Sequence, residues 1–271
     1  MQIVYPVSLL VGLLLVSTLN AQSTAHAVVN YVPGINHSQS YTNLDAVIGS
    51  PSRVTPGEWG GPVDPFNAPY LNSQLLSMGT GGSLTMQLSE PIQNDPTHAF
   101  GFDFTVFGNS FFVITNGDYS GGGITDGTVY PASPSTTRVS ISGDGALFFE
   151  LTPSLAPSLN NFFPTDGQGR FDQPVDPSLK SSDFSNLDIV GIRRLYLGSG
   201  GGTSYDLGWA RDPLGRPIAD IDVNYIRIDV LNGRVEIDGI SAVPEPSVLS
   251  LLSLSGILIA IGFNRKRSRG V

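Results

Sequence analysis

The residues with chemistry to offer are mostly oxygen donors. The chain holds 23 Asp and Glu against 14 Lys and Arg, with three His and no Cys. Without thiols, disulfides, cysteine nucleophiles and zinc–thiolate centres are excluded together. Carboxylates and amide oxygens suit calcium, a hard cation that extracellular proteins use at weak sites. The candidate ligands are Asp103 with Asn109, Asp206 with Asp212, and Asp238 near the end of the globular region. No D-x-D-x-D-G loop is present, and an Asp beside Gly serves equally well as a turn residue bonded to its own backbone. A glycosidase also needs paired carboxylates, but one sequence does not show which two share a cleft.

Other catalytic apparatus is scarce. His26 lies near the N-terminus, while His37 and His98 sit among turn formers, as solvated loop residues do. No Gly-x-Ser-x-Gly elbow accompanies them, which counts against a serine hydrolase. Gly198-Ser199-Gly200-Gly201-Gly202 lacks the helix and the Lys-Ser/Thr of a phosphate loop and reads as a flexible surface loop. Aromatic rings can serve as apolar platforms for sugars. Trp59, Trp209, Tyr70 and Tyr205 lie in or beside loops; Trp59, between Pro56 and Gly60-Gly61-Pro62, is the candidate for exposure and Trp209 for the core. The net charge of −9 repels phosphate backbones and argues against nucleic acid as a partner.

The elements that must position these residues read as strands. In 271 residues there are 32 Gly and 20 Pro, a density of chain punctuation that fits an all-β protein and not a helical bundle. Residues 28–80 read as irregular. From residue 82 the pattern alternates: Ser83–Ser89 puts Leu84, Met86 and Leu88 on one face, and Phe100–Phe107 does the same with Phe100, Phe102, Phe104 and Val106. Phe111–Thr115 and Ile189–Leu197 are further predicted strands. Two hairpins are expected, one around Gly143-Asp144-Gly145 and one in which Asn232-Gly233 joins Asn224–Leu231 to Arg234–Ala242, Asn-Gly being favoured in type I′ turns. Leu151–Asp188 reads as variable surface. Seven or more short strands predict a β-sandwich ectodomain of jelly-roll type over residues 28–242.

Both ends of the sequence read as addresses. Pro6–Leu19 is apolar but short for a membrane span, and Ala25-His26-Ala27 is an A-x-A site for signal peptidase, with Ala21 as an earlier alternative. Residues 1–27 are therefore the predicted signal peptide, an uncleaved anchor being the competing reading. At the other end, Val243-Pro244-Glu245-Pro246 precedes an apolar run, Val248–Phe263, and then Arg265, Lys266, Arg267 and Arg269. Such a run predicts a single transmembrane helix whose basic tail stays cytoplasmic. In that order, over residues 243–271, these features resemble the PEP-CTERM sorting signal of exported proteins in Gram-negative bacteria that make exopolysaccharide. The resemblance implies an exosortase as processing partner, acting near Pro244-Glu245-Pro246; a permanent anchor is the alternative. Setting both ends aside leaves 10 basic and 22 acidic residues between 28 and 243, a net of −12.

A second resemblance covers roughly residues 80–243. Gly81-Gly82-Ser83-Leu84, Asp103-Phe104-Thr105-Val106-Phe107-Gly108-Asn109, Arg138–Gly145, Tyr205–Ala210 and Tyr225–Ile240 are similar, in that order, to motifs of a family of bacterial jelly-roll cell-surface domains. That family has no settled activity; sandwiches of the carbohydrate-binding type often hold a structural calcium near the closing strand. Together these features lead to the expectation of a non-enzymatic exported protein at the cell surface or in the extracellular matrix, binding polysaccharide. The alternative is a secreted carbohydrate-active enzyme on the same scaffold.

Overall fold

The computed structural model describes residues 22–244 except Trp59, 131–134, 160–162 and 219–220. Strand-forming residues dominate them: β1 (Ala25–Val32), β2 (Val54–Thr55), β3 (Gly61–Pro62), β4 (Leu76–Gly79), β5 (Ser83–Ile92), β6 (Phe104–Gly108), β7 (Phe111–Ile114), β8 (Thr125–Tyr130), β9 (Thr136–Ser142), β10 (Phe149–Leu151), β11 (Thr203–Tyr205), β12 (Ala210–Arg211), β13 (Val223–Asn232) and β14 (Arg234–Ala242). One sheet runs β1-β5-β13-β9-β10-β12 and a second β11-β6-β14-β4, with β2-β3 and β7-β8 as separate pairs. The pairings are antiparallel throughout.

The period-2 alternation explains the packing. Leu84, Met86, Ile226 and Ile228 of the first sheet share one core with Phe104, Val106, Ile237 and Ile240 of the second. Each side chain of this size gains about 1.5–3 kcal/mol on leaving water. Mostly β secondary structure in antiparallel sheets is thus what the alternation and the turn residues predicted.

Several local expectations need correction. Asn232-Gly233 does not close a hairpin, because β13 and β14 belong to different sheets. Gly233, at φ 84°, turns the chain from one sheet to the other, so Ile226 and Ile228 share the core with Ile237 of the opposite sheet. The expected strand Ile189–Leu197 is a helix, α1 (Ile189–Tyr196). Asp188 caps it by accepting from Gly191 N at 2.8 Å, and Ile192 and Tyr196, four apart, form its buried face. Residues 28–80, expected to be irregular, contain most of β1 and all of β2 to β4. The supposedly variable surface of Leu151–Asp188 supplies Val175 and Phe184 to a second core with Phe112, Ile192 and Tyr196. The Gly198–Gly202 segment is no surface loop either: Ser199 to Gly202 are buried. At Gly201, φ +84°, a Cβ would lie 2.2 Å from Pro164 O, so only glycine lets the chain pass.

The ends of the globular unit lie side by side. Ala242 N donates to Ser23 O at 2.8 Å, Thr24 bridges Ser241, and Ala25 is buried at the start of β1. Ala25 and Ala27, the expected cleavage site, are therefore part of the first sheet, with Ala25 paired to Leu88 and Ala27 to Gln87. Val243 is buried and Pro244 half-buried, while Glu245, Pro246, Arg265, Lys266, Arg267 and Arg269 lie outside the described residues, as does the 248–263 run. Among the described residues no helix is long and apolar enough to cross a membrane.

Candidate functional site

The most distinctive cluster surrounds Asp103, the residue immediately before β6. It is fully buried, and its carboxylate is committed to protein donors. Oδ1 accepts from Asp95 N at 3.0 Å and lies 3.0 Å from His98 Nδ1, while Oδ2 accepts from Leu207 N at 2.8 Å. Its backbone N–H donates to Tyr205 O and its carbonyl accepts from Val243 N. One residue thus ties together the 95–101 loop, the 205–209 loop and the end of the globular unit. Burial raises the carboxyl pKa, opposed by the N–H donors of Asp95 and Leu207 and by His98. His98 was expected to be solvated; it is instead 6% exposed, with Asp95 Oδ2 3.7 Å from Nε2.

The two loops held by Asp103 present aromatic rings. Phe100 was expected on the core face of a strand, but it sits in a 3-10 turn, Ala99–Gly101, at φ 59° and is 53% exposed. A bulky residue in left-handed backbone is a conformational outlier, of the kind that concentrates at functional sites. Phe102 bridges the loops, with its ring centroid 6.3 Å from Phe100 and 5.8 Å from Trp209, the latter edge-on at 87°. Trp209, expected in the core, is half-buried; it packs on the core and contributes to this face as well. Asp206 caps the turn that carries Trp209 by accepting from Gly208 N, and its pKa is raised by burial. Tyr205 is core, stacked on Phe104 at 5.2 Å, and Tyr70 is exposed with its carbonyl accepting from Tyr41 OH.

Beside this face lies a cavity of about 130 Å³. Phe102, Pro157, Phe163, Val175, Pro177 and Thr203 line it, together with Ser204 and Gly202. Ser204 Oγ is bonded to Thr105 Oγ1 at 2.8 Å, whereas Thr203 Oγ1, fully buried, has no hydrogen-bond partner among the described residues. Phe102 belongs to both the face and the cavity.

The expected calcium ligands have hydrogen-bond partners within the fold. Asn109 donates to Glu236 and not toward Asp103. Asp212 is engaged by Arg216, whose Nη2 lies 2.7 Å away, and by the backbone N–H groups of Leu214 and Arg216. Asp238 accepts from Ser52 N and Ser52 Oγ, each at 2.7 Å, and burial pushes its pKa up to about 7. Asp206 lies close enough to Asp103 to raise its pKa by charge repulsion. Among the described residues no group of three or more His, Asp or Glu is placed to hold a metal ion. Trp59 lies outside the described residues.

Over residues 95–103 the sequence predicts a turn followed by a strand, a pattern that does not show the aromatic face. The signal available was Gly101 directly after Phe100: a glycine in a turn that also left Phe100 without strand geometry. No protein-family model matches the chain, and neither does any curated protein. Both resemblances therefore rest on the quoted residues alone.

Proposed function

We propose that this is an exported, non-enzymatic surface protein whose sandwich, of jelly-roll type, binds exopolysaccharide through the exposed ring of Phe100 and the half-buried Trp209, with buried Phe102 packed between them. The observation that carries the binding reading is Phe100, an apolar ring held outward in costly backbone by a buried hydrogen-bond network. An exposed ring held in a strained turn offers a platform on which a ligand can stack, and sugar rings present apolar C–H faces. The acidic body, net −12 over residues 28–243, suits neutral glycans better than phosphate polymers.

Delivery is read from the ends. A signal peptide and a PEP-type sorting signal with a single transmembrane helix account for the two apolar runs, with signal peptidase and an exosortase as processing partners. The start of the globular unit favours cleavage after Ala21, because a cut after Ala27 would remove part of β1.

A glycan array probed with the exported protein tests the reading. Binding of neutral polysaccharides, lost in Phe100→Ala, supports it. Reducing-sugar release from bound glycans would replace it with the enzyme alternative. Retention of residues 247–271 in the exported protein would remove exosortase processing.

A further inference from the structure

We infer that the outer face of the first sheet carries a second glycan subsite, where Arg138 and Arg227 bind the carboxylate of a uronate sugar. The inference rests on the polysaccharide reading above but shares no residue with the Phe100 site. Strand register places the two arginines. Arg138 on β9 stands opposite Asp229 on β13, and Arg227 lies two residues before Asp229, so all three project from one face. Ile226, Ile228 and Val230 alternate with them and fill the core behind.

The hydrogen bonds leave a specific donor edge unused. Arg138 donates from Nε and Nη2 to Asp229 Oδ2 at 3.3 and 3.2 Å, and Arg227 donates from the same two atoms to Oδ1 at 3.0 and 2.8 Å. Both guanidinium groups thus turn one side edge toward a single carboxylate. Neither Nη1 has a partner among the described residues. The two arginine side chains are 40% and 38% exposed, so these donors reach solvent, whereas Asp229 at 11% lies beneath them. The free edge, Nη1 with the second hydrogen of Nη2, is the fork that holds a carboxylate bidentately.

Charge and shape then select the occupant. Two arginines share one aspartate, which leaves one positive charge over. Ser140 faces Arg227, Glu150 follows in the same row, and Arg211 stands opposite Glu150, so that last pair adds no net charge. A carboxylate matches one excess charge, whereas a phosphate monoester brings about −1.5 to −2. The net −12 of the body opposes an anionic polymer weakly at contact, because charges beyond about 8 Å are largely screened at physiological salt. Half-buried rings flank the arginines. Tyr225 projects from the same face two residues before Arg227, and Arg227 Cζ lies 5.9 Å from the Phe148 ring centroid. A uronate offers a carboxylate to the fork and a C–H face to such a ring.

Binding of the full chain in non-ionic detergent is measured for polygalacturonate, for the same polymer with its carboxyls methyl-esterified, and for polyglutamate. The ester keeps the sugar and removes the charge; polyglutamate keeps the charge and removes the sugar. The free polyuronate is expected to bind about tenfold more tightly than either. Arg138→Gln and Arg227→Gln should each erase the preference over the ester. Arg138→Lys and Arg227→Lys keep the charge without the fork and should each retain only part of it. In every single variant Asp229 keeps the other arginine, so thermal unfolding should stay close to that of the parent and show that the fold is intact. Phe100→Ala should leave the preference unchanged. Equal binding of acid and ester, or a preference that survives both glutamine variants, overturns the uronate subsite and leaves the Phe100 reading standing. Polyglutamate binding as tightly as the polyuronate also overturns it, in favour of a surface for acidic peptides. Failure of every polysaccharide to bind, acidic or neutral, overturns the polysaccharide reading itself.

Discussion

The backbone N–H of Ala242 donates to the carbonyl of Ser23 at 2.8 Å, so the first described residues are joined to the last strand of the fold. Ser23 Oγ also donates to Glu90 O at 2.6 Å, and Gly49 N donates to Ala25 O. A signal peptidase cut after Ala27 would break all three hydrogen bonds and strip Ala25 from the core. On the proposed export reading, the mature N-terminus is expected at Gln22, with Ala21 as the last residue removed. N-terminal sequencing of the exported protein checks this directly. A variant that starts at Val28 should lose more than about 3 kcal/mol in urea unfolding, at about 1 kcal/mol for each of the three bonds, since the Ser89 N–Thr24 O bond and the pairing of Ala25 and Ala27 with β5 are lost as well.

Asp103 is expected to be the most sensitive polar residue near the aromatic face. Asp103→Ala removes the acceptor that the Asp95 and Leu207 N–H groups use and the carboxylate that His98 Nδ1 faces. Two to three orphaned donors should cost about 3–5 kcal/mol. Asp103→Asn keeps the shape but turns an NH2 toward one of these donors, so a smaller loss of about 2 kcal/mol is expected. Chemical denaturation measures both. Glycan affinity should fall alongside stability in each, because both aromatic loops depend on this carboxylate.

What the sequence made legible was the alternation, and what it hid was the partner of each strand. Leu84, Met86 and Leu88 face the core as their spacing requires. The Gly143–Gly145 connection does join paired strands, with Phe149 opposite Ile141. Asn232-Gly233 carries an equally good hairpin signature, yet it spans two sheets, since local turn preference does not encode which sheet the next strand joins. At Ile189–Tyr196 the apolar run suits either period, and the Asp188 cap decided for helix. His98 was misplaced for a similar reason: its environment comes from Asp103, which becomes its hydrogen-bond partner only through the fold of the intervening turn.

Stability should depend on pH through Asp238. Burial lifts its pKa from 3.8 to about 7, although two bonds from Ser52 pull the other way. Between those pH values the folded state holds a proton that the unfolded state has lost. Stability therefore falls as pH rises through this window, by an amount on the order of a few kcal/mol. Asp64, Asp103 and Asp206 are also raised and act with the same sign. Asp238→Asn should flatten part of the dependence, so the difference in unfolding free energy between variant and parent should shift in the variant's favour from pH 5 to pH 8.

Chelation offers a separate check on the oxygen ligands. Asp103, Asp212 and Asp238 are already satisfied by hydrogen-bond donors of the fold. A chelator is therefore expected to leave the calorimetric unfolding temperature unchanged. A drop of several degrees would place calcium in the fold and reopen the question of which oxygens hold it.

Phe100 separates stability from binding. Its left-handed backbone, φ 59°, costs a non-glycine residue about 1 kcal/mol, and a side chain 53% exposed recovers little of that through burial. Glycine adopts the same conformation without steric cost but loses more chain entropy on folding. The two effects nearly cancel, so Phe100→Gly is expected to change unfolding free energy by less than about 1 kcal/mol. If the ring is held outward for a ligand, the same substitution should weaken glycan binding about tenfold, the share of an aromatic stacking contact. Unchanged affinity in a folded Phe100→Gly protein would mean that the strained turn serves only to bring Asp103 and His98 together.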